Sequence, residues 1–356
     1  MKNMIKIADF TDYAQEVLPK EVFEYFSGGA GEEITLRENE KIYDQIKLNY
    51  KVLKGINEID LNTTILGQKI DLPVIIAPMA FHKLAHPDGE LGTARATSLL
   101  STIMIVSTFS TQTLESIKSI SKIPPWFQLY IFQDRAITKE LVMMAEACGY
   151  KALVLTVDTP VYGTREKEIR NNFDLAEGLI LENLITAGFK LPKDFIGNKS
   201  KYFSSLLDNN ITWADIEWLR SITKIPIILK GIMDKRDFLI AKELSIAAVI
   251  ISNHGGRQLD TVPTSIEILQ KNIDFIDKSI EIIIDGGIRK GSDIFKALAL
   301  GAKAVLVGRP ILWGLAVNGE AGVYNILNIL KSDLEKTMKL CGCSRVDEIN
   351  KEFLFY

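Results

Sequence analysis

The stretch "IISNHGGRQLD", at positions 250–260, contains the residues best suited to chemistry. His254 stands three residues before Arg257, across a Gly-Gly pair that lets the backbone bend freely. An imidazole changes charge near neutral pH and can act as a base, and an arginine fork fits a carboxylate through two hydrogen bonds. The stretch therefore indicates a proton-transfer group beside an anion-binding group.

Two other charged residues directly follow apolar runs. Lys230 comes after "PIIL", where a buried ammonium needs an anion or a strong acceptor nearby. Asp158 ends the run "LVLTV" and allows two interpretations. Its carboxylate could pair with an arginine for structural reasons, or it could fix the tautomer of His254 and make that residue a poised base.

Short apolar runs recur along the chain with amphipathic segments between them. They are rich in Val, Ile and Leu without alternation, which is typical of parallel strands buried on both faces. The eight runs are 72–79, 102–108, 126–132, 152–158, 226–231, 247–253, 281–287 and 303–309. The pattern predicts an α/β fold, a (β/α)8 TIM barrel, with a doubly wound open sheet as the alternative that shares its local signals.

The spacing of these runs predicts a single domain over 1–356. Residues 1–70 carry a helical pattern and form an N-terminal helical cap, and 72–315 form the barrel. The fourth and fifth strands are unusually far apart, so a long loop follows strand 4, and we expect 171–212 to be a lid. Residues 316–356 are predicted to form C-terminal helices.

Polar or small residues end every predicted strand. In TIM barrels the catalytic groups come from several strands at these carboxyl ends, although each such residue alone is an ordinary turn former. The strand ends comprise Pro78, Met79, Ala80, Ser107, Gln128, Tyr130, Thr156, Ser252, Asp285, Gly286, Gly287 and Gly308. The glycines after strands 7 and 8 precede possible helix starts and the arginines Arg289 and Arg309, a combination that predicts a phosphate site.

Composition excludes several classes of protein. The net charge is −3 and the basic residues form no stripe, which argues against nucleic acid as a partner. The longest apolar runs have strand length, and the N-terminus lacks the apolar core of a secretory signal, so we expect a cytoplasmic protein without a membrane span. Cys148, Cys341 and Cys343 are too few for a disulfide framework, and no metal site is predicted.

Motifs along almost the whole chain resemble one family. They are "YFSGGAGEE", "LPVIIAPMAF", "FQLYIFQDR", "LTVDTPVYGTRE", "ILKGI", "SNHGGRQLD", "DGGIRKGSDIFKALALGA" and "GRP". In this order they resemble the FMN-dependent L-2-hydroxy acid oxidases and dehydrogenases, which include glycolate oxidase, lactate oxidase, flavocytochrome b2 and mandelate dehydrogenase.

The resemblance implies a role for each matching residue. His254, held by Asp158, would be the base, with Tyr130 and Lys230 also catalytic. The residues that would surround the substrate are Tyr25, Tyr130, Arg165 and Arg257, with the arginines on its carboxylate. The residues that would hold FMN are Ala77, Pro78, Met79, Ala80, Ser107, Gln128, Thr156, Lys230 and Ser252 around the ring system, Asp285 and Gly286 near the ribityl chain, and Gly287, Arg289, Gly308 and Arg309 at the phosphate.

The chemistry requires such a set independently of the family. Reduced flavin carries negative charge near N1 and C2=O, where the cation of Lys230 would have most effect. A base takes a proton from the hydroxy acid while two electrons pass to the flavin. The proton can leave carbon, which gives a carbanion, or oxygen, with hydride transfer, and both mechanisms stay open.

The leading hypothesis is a soluble FMN-dependent oxidase that converts an L-2-hydroxy acid to the 2-oxo acid, with O2 as acceptor and hydrogen peroxide as product. The alternatives are a dehydrogenase that uses a quinone or another electron carrier, an FMN-dependent isopentenyl diphosphate isomerase, which would lack the pair of His254 and Arg257, and a non-catalytic flavin-binding barrel. The resemblance also implies a homo-oligomer, a tetramer or an octamer.

Two residues depart from the pattern of small-acid oxidases. Phe109 stands where several relatives carry tryptophan, and Tyr162 where they tend to have leucine. We therefore expect a more open pocket with a polar handle, and substrates longer than glycolate.

Overall fold

In the computed structural model, the described residues are 4–190, 192 and 197–355. The predicted lid, 171–212, includes positions 191 and 193–196, which lie outside this range. So do residues 1–3 of the predicted cap and residue 356 at the C-terminus.

The N-terminal segment forms three helices and a hairpin ahead of the first barrel strand. The elements are α1 (Ile7–Val17), α2 (Lys20–Ser27), α3 (Ile34–Gln45), β1 (Lys47–Leu48), β2 (Thr63–Ile65) and β3 (Gln68–Ile70). Buried apolar side chains at Ile7, Phe10 and Ala14 give α1 its inner face. The two strands of the hairpin, β2 and β3, pair antiparallel.

Eight parallel strands form the centre of the molecule. They are β4 (Val74–Ile76), β5 (Ile105–Val106), β6 (Trp126–Leu129), β7 (Leu153–Thr156), β8 (Ile227–Ile232), β9 (Ala248–Ile251), β10 (Glu281–Ile284) and β11 (Ala304–Val307). Seven of these strands lie within an apolar run of the sequence, and β8 extends one residue beyond its run, 226–231.

The sheet curls until its first and last strands come together. Its order is β4-β11-β10-β9-β8-β7-β6-β5, so β4 pairs with β11. A parallel bridge between Ile76 and Met104 joins β4 to the segment entering β5. The barrel is thereby nearly closed, which confirms the predicted TIM barrel over the open sheet.

Helices surround the barrel on the outside. They are α4 (Gly89–Leu99), α5 (Leu114–Ile120), α6 (Arg135–Ala147), α7 (Glu166–Arg170), α8 (Glu182–Thr186), α9 (Lys199–Ser205), α10 (Ala214–Ile222), α11 (Lys235–Glu243), α12 (Ser265–Asn272), α13 (Gly291–Ala299) and α14 (Arg309–Cys341). Helices α8 and α9 lie in the predicted lid, and the Asn198 side chain caps α9 by accepting a hydrogen bond from the Lys201 amide.

The last helix carries much of the predicted C-terminal region. Asn318 and Gly319 depart from helical geometry and divide α14 in two. Gly342, with φ +86°, ends it in the left-handed region that favours glycine. Two 3-10 turns and strand β12 (Leu354–Phe355), which pairs with β1, complete the chain, so helix accounts for only part of 316–356.

Apolar side chains pack in two layers, one inside the barrel and one between the strands and the surrounding helices. Strand residues pointing inward pack on one another, for example Ile105, Val154 and Ile250, and residues pointing outward pack under the helices. The β2–β3 hairpin covers the amino ends of the strands, where the Trp126 indole donates to Gln68 Oε1 at 2.6 Å. The carboxyl ends remain free to form a cavity.

Candidate active site

A cavity that opens to solvent lies at the carboxyl ends of the strands. All eight barrel strands or the loops that follow them contribute to its wall. The predicted site residues on this wall are Tyr25, Ala77, Pro78, Met79, Ala80, Ser107, Gln128, Tyr130, Thr156, Arg165, Lys230, His254, Arg257, Asp285, Gly286, Gly287, Arg289, Gly308 and Arg309. The other two, Asp158 and Ser252, are not among the described residues that line the cavity, but they bond to residues that do.

His254 and Asp158 form a direct pair. The imidazole Nδ1 lies 2.9 Å from Asp158 Oδ1, which leaves the other ring nitrogen for the cavity. Burial raises the pKa of Asp158, but His254 and Lys230 outweigh burial and hold that pKa below its usual value. Burial also lowers the pKa of His254, despite the opposing effect of Asp158. At neutral pH these shifts favour a neutral imidazole held by a carboxylate, the state that a base requires.

The backbone around this pair is constrained. His254, Gly255 and Gly256 all have positive φ, of 57°, 63° and 73°, a run that turns the imidazole back toward β7. Gly231 approaches Asp158 so closely that an added Cβ would lie 2.5 Å from Asp158 Cβ. Glycine at 231 therefore leaves the space that the carboxylate occupies.

Lys230 belongs to a buried polar chain on the adjacent strands. Its Nζ donates to Ser252 Oγ at 2.9 Å and lies 3.3 Å from Asp285 Oδ2, and Ser252 Oγ donates to the same Asp285 oxygen at 2.8 Å. Burial lowers the pKa of Lys230, but the carboxylates of Asp285 and Asp158 outweigh it and raise that pKa above its usual value. The site thus contains a permanent cation.

A second hydrogen-bonded chain crosses β5, β6 and β7. Gln128 Nε2 donates to Thr156 Oγ1 at 3.1 Å, and Gln128 Oε1 accepts from the Thr108 amide at 3.1 Å and from Ser107 Oγ at 3.4 Å. These contacts fix the orientation of the Gln128 amide. Tyr130, further along, has its pKa raised by burial and so presents a protonated phenol.

The two predicted carboxylate-binding arginines face the cavity together. Arg257 Nη1 donates to the carbonyls of Tyr25 at 2.7 Å and Gly28 at 2.9 Å, which ties the guanidinium to the cap. Arg165 Nε donates to the Arg257 carbonyl at 3.2 Å. Burial and the nearby Arg165 lower the pKa of Arg257. A ligand carboxylate would relieve the repulsion between the two cations.

The predicted phosphate end contains a further pair of arginines. Arg309 donates to the carbonyls of Phe26, Gly28 and Gly255, each at 3.0 Å, and Arg289 Nη2 pairs with Glu40 Oε1 at 2.6 Å. Burial beside other arginines lowers the pKa of Arg309 to about 9. A buried cluster of positive charge indicates that an anion belongs here.

The two helix N-termini at this end differ. At α13, Asp293 Oδ2 accepts from the amides of Arg289 and Lys290, so a protein carboxylate occupies the start of the helix. At α14, Gly308 precedes the first turn and provides no side-chain cap. Of these two starts, α14 is the one open to a phosphate.

Aromatic rings form the outer wall. Phe109 lies 5.9 Å from Phe81 and 6.4 Å from Phe203 of α9, measured between ring centroids. Tyr162 was expected to offer a free polar handle, but its hydroxyl donates to Glu168 Oε2 at 2.9 Å and accepts from Arg165. The wall is accordingly more apolar than the sequence indicates.

Three contributors were missed by the sequence analysis. Phe203 and its neighbours on α9 come from a segment with little periodicity, which gave no signal of a position at the cavity. Glu168 lies three residues after Arg165, and this helical spacing could have indicated their contact. Asn39 of α3 exchanges two buried hydrogen bonds with Asn253, the residue before His254, a contact between distant parts of the chain.

Within the part of the chain that the structure describes, no helix is both long and apolar enough to cross a membrane. Among the same residues, no group of three or more histidines, cysteines and acidic residues could hold a metal ion.

Comparisons with known proteins identify the family of this chain. Residues 14–355 match the family model described as FMN-dependent dehydrogenase. An L-lactate oxidase from Nostoc sp. is 46% identical, with 98% of each chain covered, and 2-hydroxyacid oxidase 1 from Homo sapiens is 41% identical, covering 99% of this chain and 96% of the human one.

Solved structures show the same architecture. The crystal structure of a mandelate oxidase with (S)-4-hydroxymandelic acid has a TM-score of 0.91 at 34% identity and covers 99% of this chain and 98% of that one. The match to the family model spans nearly the whole sequence and includes the barrel, the cavity and the cap from residue 14 onward. The chain therefore belongs to the FMN-dependent dehydrogenase family.

Proposed function

We propose that this protein uses FMN to oxidise an L-2-hydroxy acid to the corresponding 2-oxo acid, with O2 as the acceptor. One observation carries the proposal: His254, which is paired with Asp158, lines the same cavity as Arg165 and Arg257. That combination offers a neutral base and a carboxylate clamp to one small ligand.

The residues present fit FMN. Asp285 Oδ1 is buried and has no partner among the described residues, which suits a ribityl hydroxyl. A Cβ on Gly308 would lie 3.5 Å from both Ala77 Cβ and Met79 Sδ, so glycine keeps this part of the cavity free for a flat ligand. The open N-terminus of α14, with Arg289 and Arg309, would hold the phosphate. When bound, FMN supplies the two-electron acceptor of the reaction.

The protein's own groups perform the remaining work. Arg165 and Arg257 hold the substrate carboxylate and orient the carbon that bears the hydroxyl. His254 accepts one proton from the substrate, and Asp158 stabilises the resulting imidazolium through Nδ1. Lys230 provides positive charge where the ring system becomes negative during reduction.

Anaerobic mixing of the FMN-loaded protein with L-lactate, L-mandelate and L-2-hydroxyoctanoate tests the reaction. We expect the visible flavin absorbance to bleach with L-acids and to persist with their D-enantiomers. Persistence with every L-acid would contradict the proposal and would leave the isomerase or a non-catalytic flavin barrel.

The choice of acceptor needs a separate measurement. After anaerobic reduction, the protein is mixed with O2 or with a soluble quinone, and the rate at which flavin absorbance returns is compared. Faster return with O2, together with equimolar hydrogen peroxide, supports an oxidase. Slow return with O2 and fast return with the quinone would favour the dehydrogenase alternative. The cytoplasmic location stays a prediction. The assembly as a tetramer or octamer also stays a prediction, and light scattering would measure the molar mass that decides it.

Substrate size follows from the aromatic wall. The rings of Phe81, Phe109 and Phe203 can bury a side chain that glycolate lacks, and each buried methylene contributes about 0.8 kcal/mol. We expect longer aliphatic or aromatic L-2-hydroxy acids to exceed glycolate in kcat/KM by about tenfold or more. An oxygen-electrode panel of glycolate, L-lactate, L-2-hydroxyoctanoate and L-mandelate measures this, and a preference for glycolate would contradict it.

Lys230 has its own test, because a cation beside the flavin should stabilise the negative charge that sulfite introduces. We expect sulfite to bleach the parental protein and Lys230→Met to bind sulfite at least ~100-fold more weakly. Lys242→Met removes a lysine paired with Asp277 at the surface and serves as the control. Parental protein that sulfite does not bleach, or a variant with undiminished sulfite affinity, would show that Lys230 has another role.

A further inference from the structure

One carboxylate bridges the two arginines of the site. Glu168, in α7, accepts from Arg165 Nη1 at 3.1 Å and from Arg257 Nη2 at 3.3 Å, both through Oε1. Its other oxygen, Oε2, accepts from the Tyr162 hydroxyl at 2.9 Å. The Glu168 side chain is only 10% exposed, so these contacts are poorly screened by water.

Glu168 approaches the arginines from behind. Arg165, Arg257 and Tyr162 are all on the cavity wall, whereas Glu168 is not among the described residues that form it. A ligand in the cavity therefore meets the guanidinium groups without displacing Glu168. Of the five N–H donors of each guanidinium, Arg257 keeps Nε–H and one Nη2–H, and Arg165 keeps one Nη2–H, without an acceptor among the described residues, so together they can donate to a second carboxylate from the cavity.

With a substrate bound, the charges of Arg165, Arg257, Glu168 and the substrate carboxylate would balance. Two guanidinium groups and one carboxylate leave a single positive charge for a ligand, and one substrate carboxylate neutralises it. Without Glu168 the site would present two positive charges in a poorly hydrated space, which attract an anion more strongly. Such attraction would hold the 2-oxo acid product, which has the same carboxylate as the substrate.

We propose that Glu168 is a positioning residue that sets the anion affinity of the site. It holds the two arginines together and weakens their attraction for a carboxylate, so that substrate binds and product leaves. This inference rests on the proposed function, because it assumes that Arg165 and Arg257 bind the carboxylate of a 2-hydroxy acid.

Binding without turnover tests the inference. FMN-loaded protein is titrated with pyruvate and with benzoylformate, and the shift in the visible flavin spectrum gives Kd. In Glu168→Gln, which keeps the shape and removes the charge, we expect Kd to fall by about tenfold. KM for the hydroxy acid should fall as well, and kcat should not rise. Glu166→Gln is the matched control, since Glu166 pairs with Arg170 at the surface.

The direction of the change separates this role from a purely structural one. If Glu168 only supported the arginines, its loss would misplace them and raise Kd. The variants Glu168→Asp and Glu168→Asn form a second pair that differs only in charge. If the glutamine variant does not fold, the comparison of Kd between these two variants tests the inference. Tighter binding in the neutral member of a pair supports the inference, and equal or weaker binding overturns it.

The same titration distinguishes failure of the proposed function from failure of the role proposed for Glu168. Parental protein that binds neither 2-oxo acid and is not reduced by any L-2-hydroxy acid would overturn both ideas. Parental protein that binds and is reduced, with variants of unchanged Kd, would overturn only the role of Glu168.

Discussion

Replacing His254 with glutamine is expected to slow flavin reduction by an L-2-hydroxy acid by ~10²–10⁴-fold while the protein keeps its FMN. Glutamine can still donate an amide N–H to Asp158, but it has no basic nitrogen for the substrate proton. FMN contacts are assigned to other residues, so the purified variant should remain yellow. Anaerobic stopped-flow measurement of the bleaching rate gives the effect.

A matched change elsewhere separates base loss from general damage. His86→Gln alters a partly exposed histidine next to Asp88 that is not among the described residues of the cavity wall. We expect the parental rate in that variant. A His254→Gln protein that reduced its flavin at nearly the parental rate would show that another group takes the proton.

The second large effect is expected at Arg257. Lysine at this position keeps the charge but loses the fork that binds a carboxylate through two hydrogen bonds. Charge-assisted hydrogen bonds contribute roughly 1.5–3 kcal/mol each, so we expect kcat/KM for the hydroxy acid to fall by about 10²-fold in Arg257→Lys. Most of the loss should appear in KM, because His254 remains in place.

Steady-state kinetics with the best substrate of the panel measures this loss. Arg170→Lys is the control, since Arg170 is an exposed arginine that pairs with Glu166 at the surface. A kcat/KM within threefold of the parental value in Arg257→Lys would mean that Arg165 alone binds the carboxylate. In that case Arg257 would serve mainly to hold the carbonyls of the cap.

The sequence predicted the barrel because its signal is local. Most of the strands are dominated by apolar residues, and a polar residue at or near the end of such a run lies at the carboxyl end of the barrel, as Lys230 and Asp285 do. Closure of the sheet was not a local property. It depends on pairing between β4 and β11, and similar runs would have supported an open sheet.

Contacts between segments that are distant in the sequence could not be predicted from the sequence. Ser252 was predicted from its place at the end of a strand, but its hydrogen bonds to Lys230 and Asp285 join it to two other strands. Arg309 was predicted from its position after a strand, but the carbonyls of Phe26 and Gly28 that it contacts come from another part of the chain.

Those contacts have a consequence for synthesis on the ribosome. The carbonyls of Tyr25 and Phe26 emerge early, but their arginine donors follow 232 and 283 residues later. The hydrogen bond from Arg309 to the cap therefore cannot form until nearly the whole barrel has been translated. Contacts of such sequence separation slow folding, so docking of the cap is expected to be among the last steps. A nascent chain stalled before β11 would have all of the predicted catalytic side chains and no finished pocket.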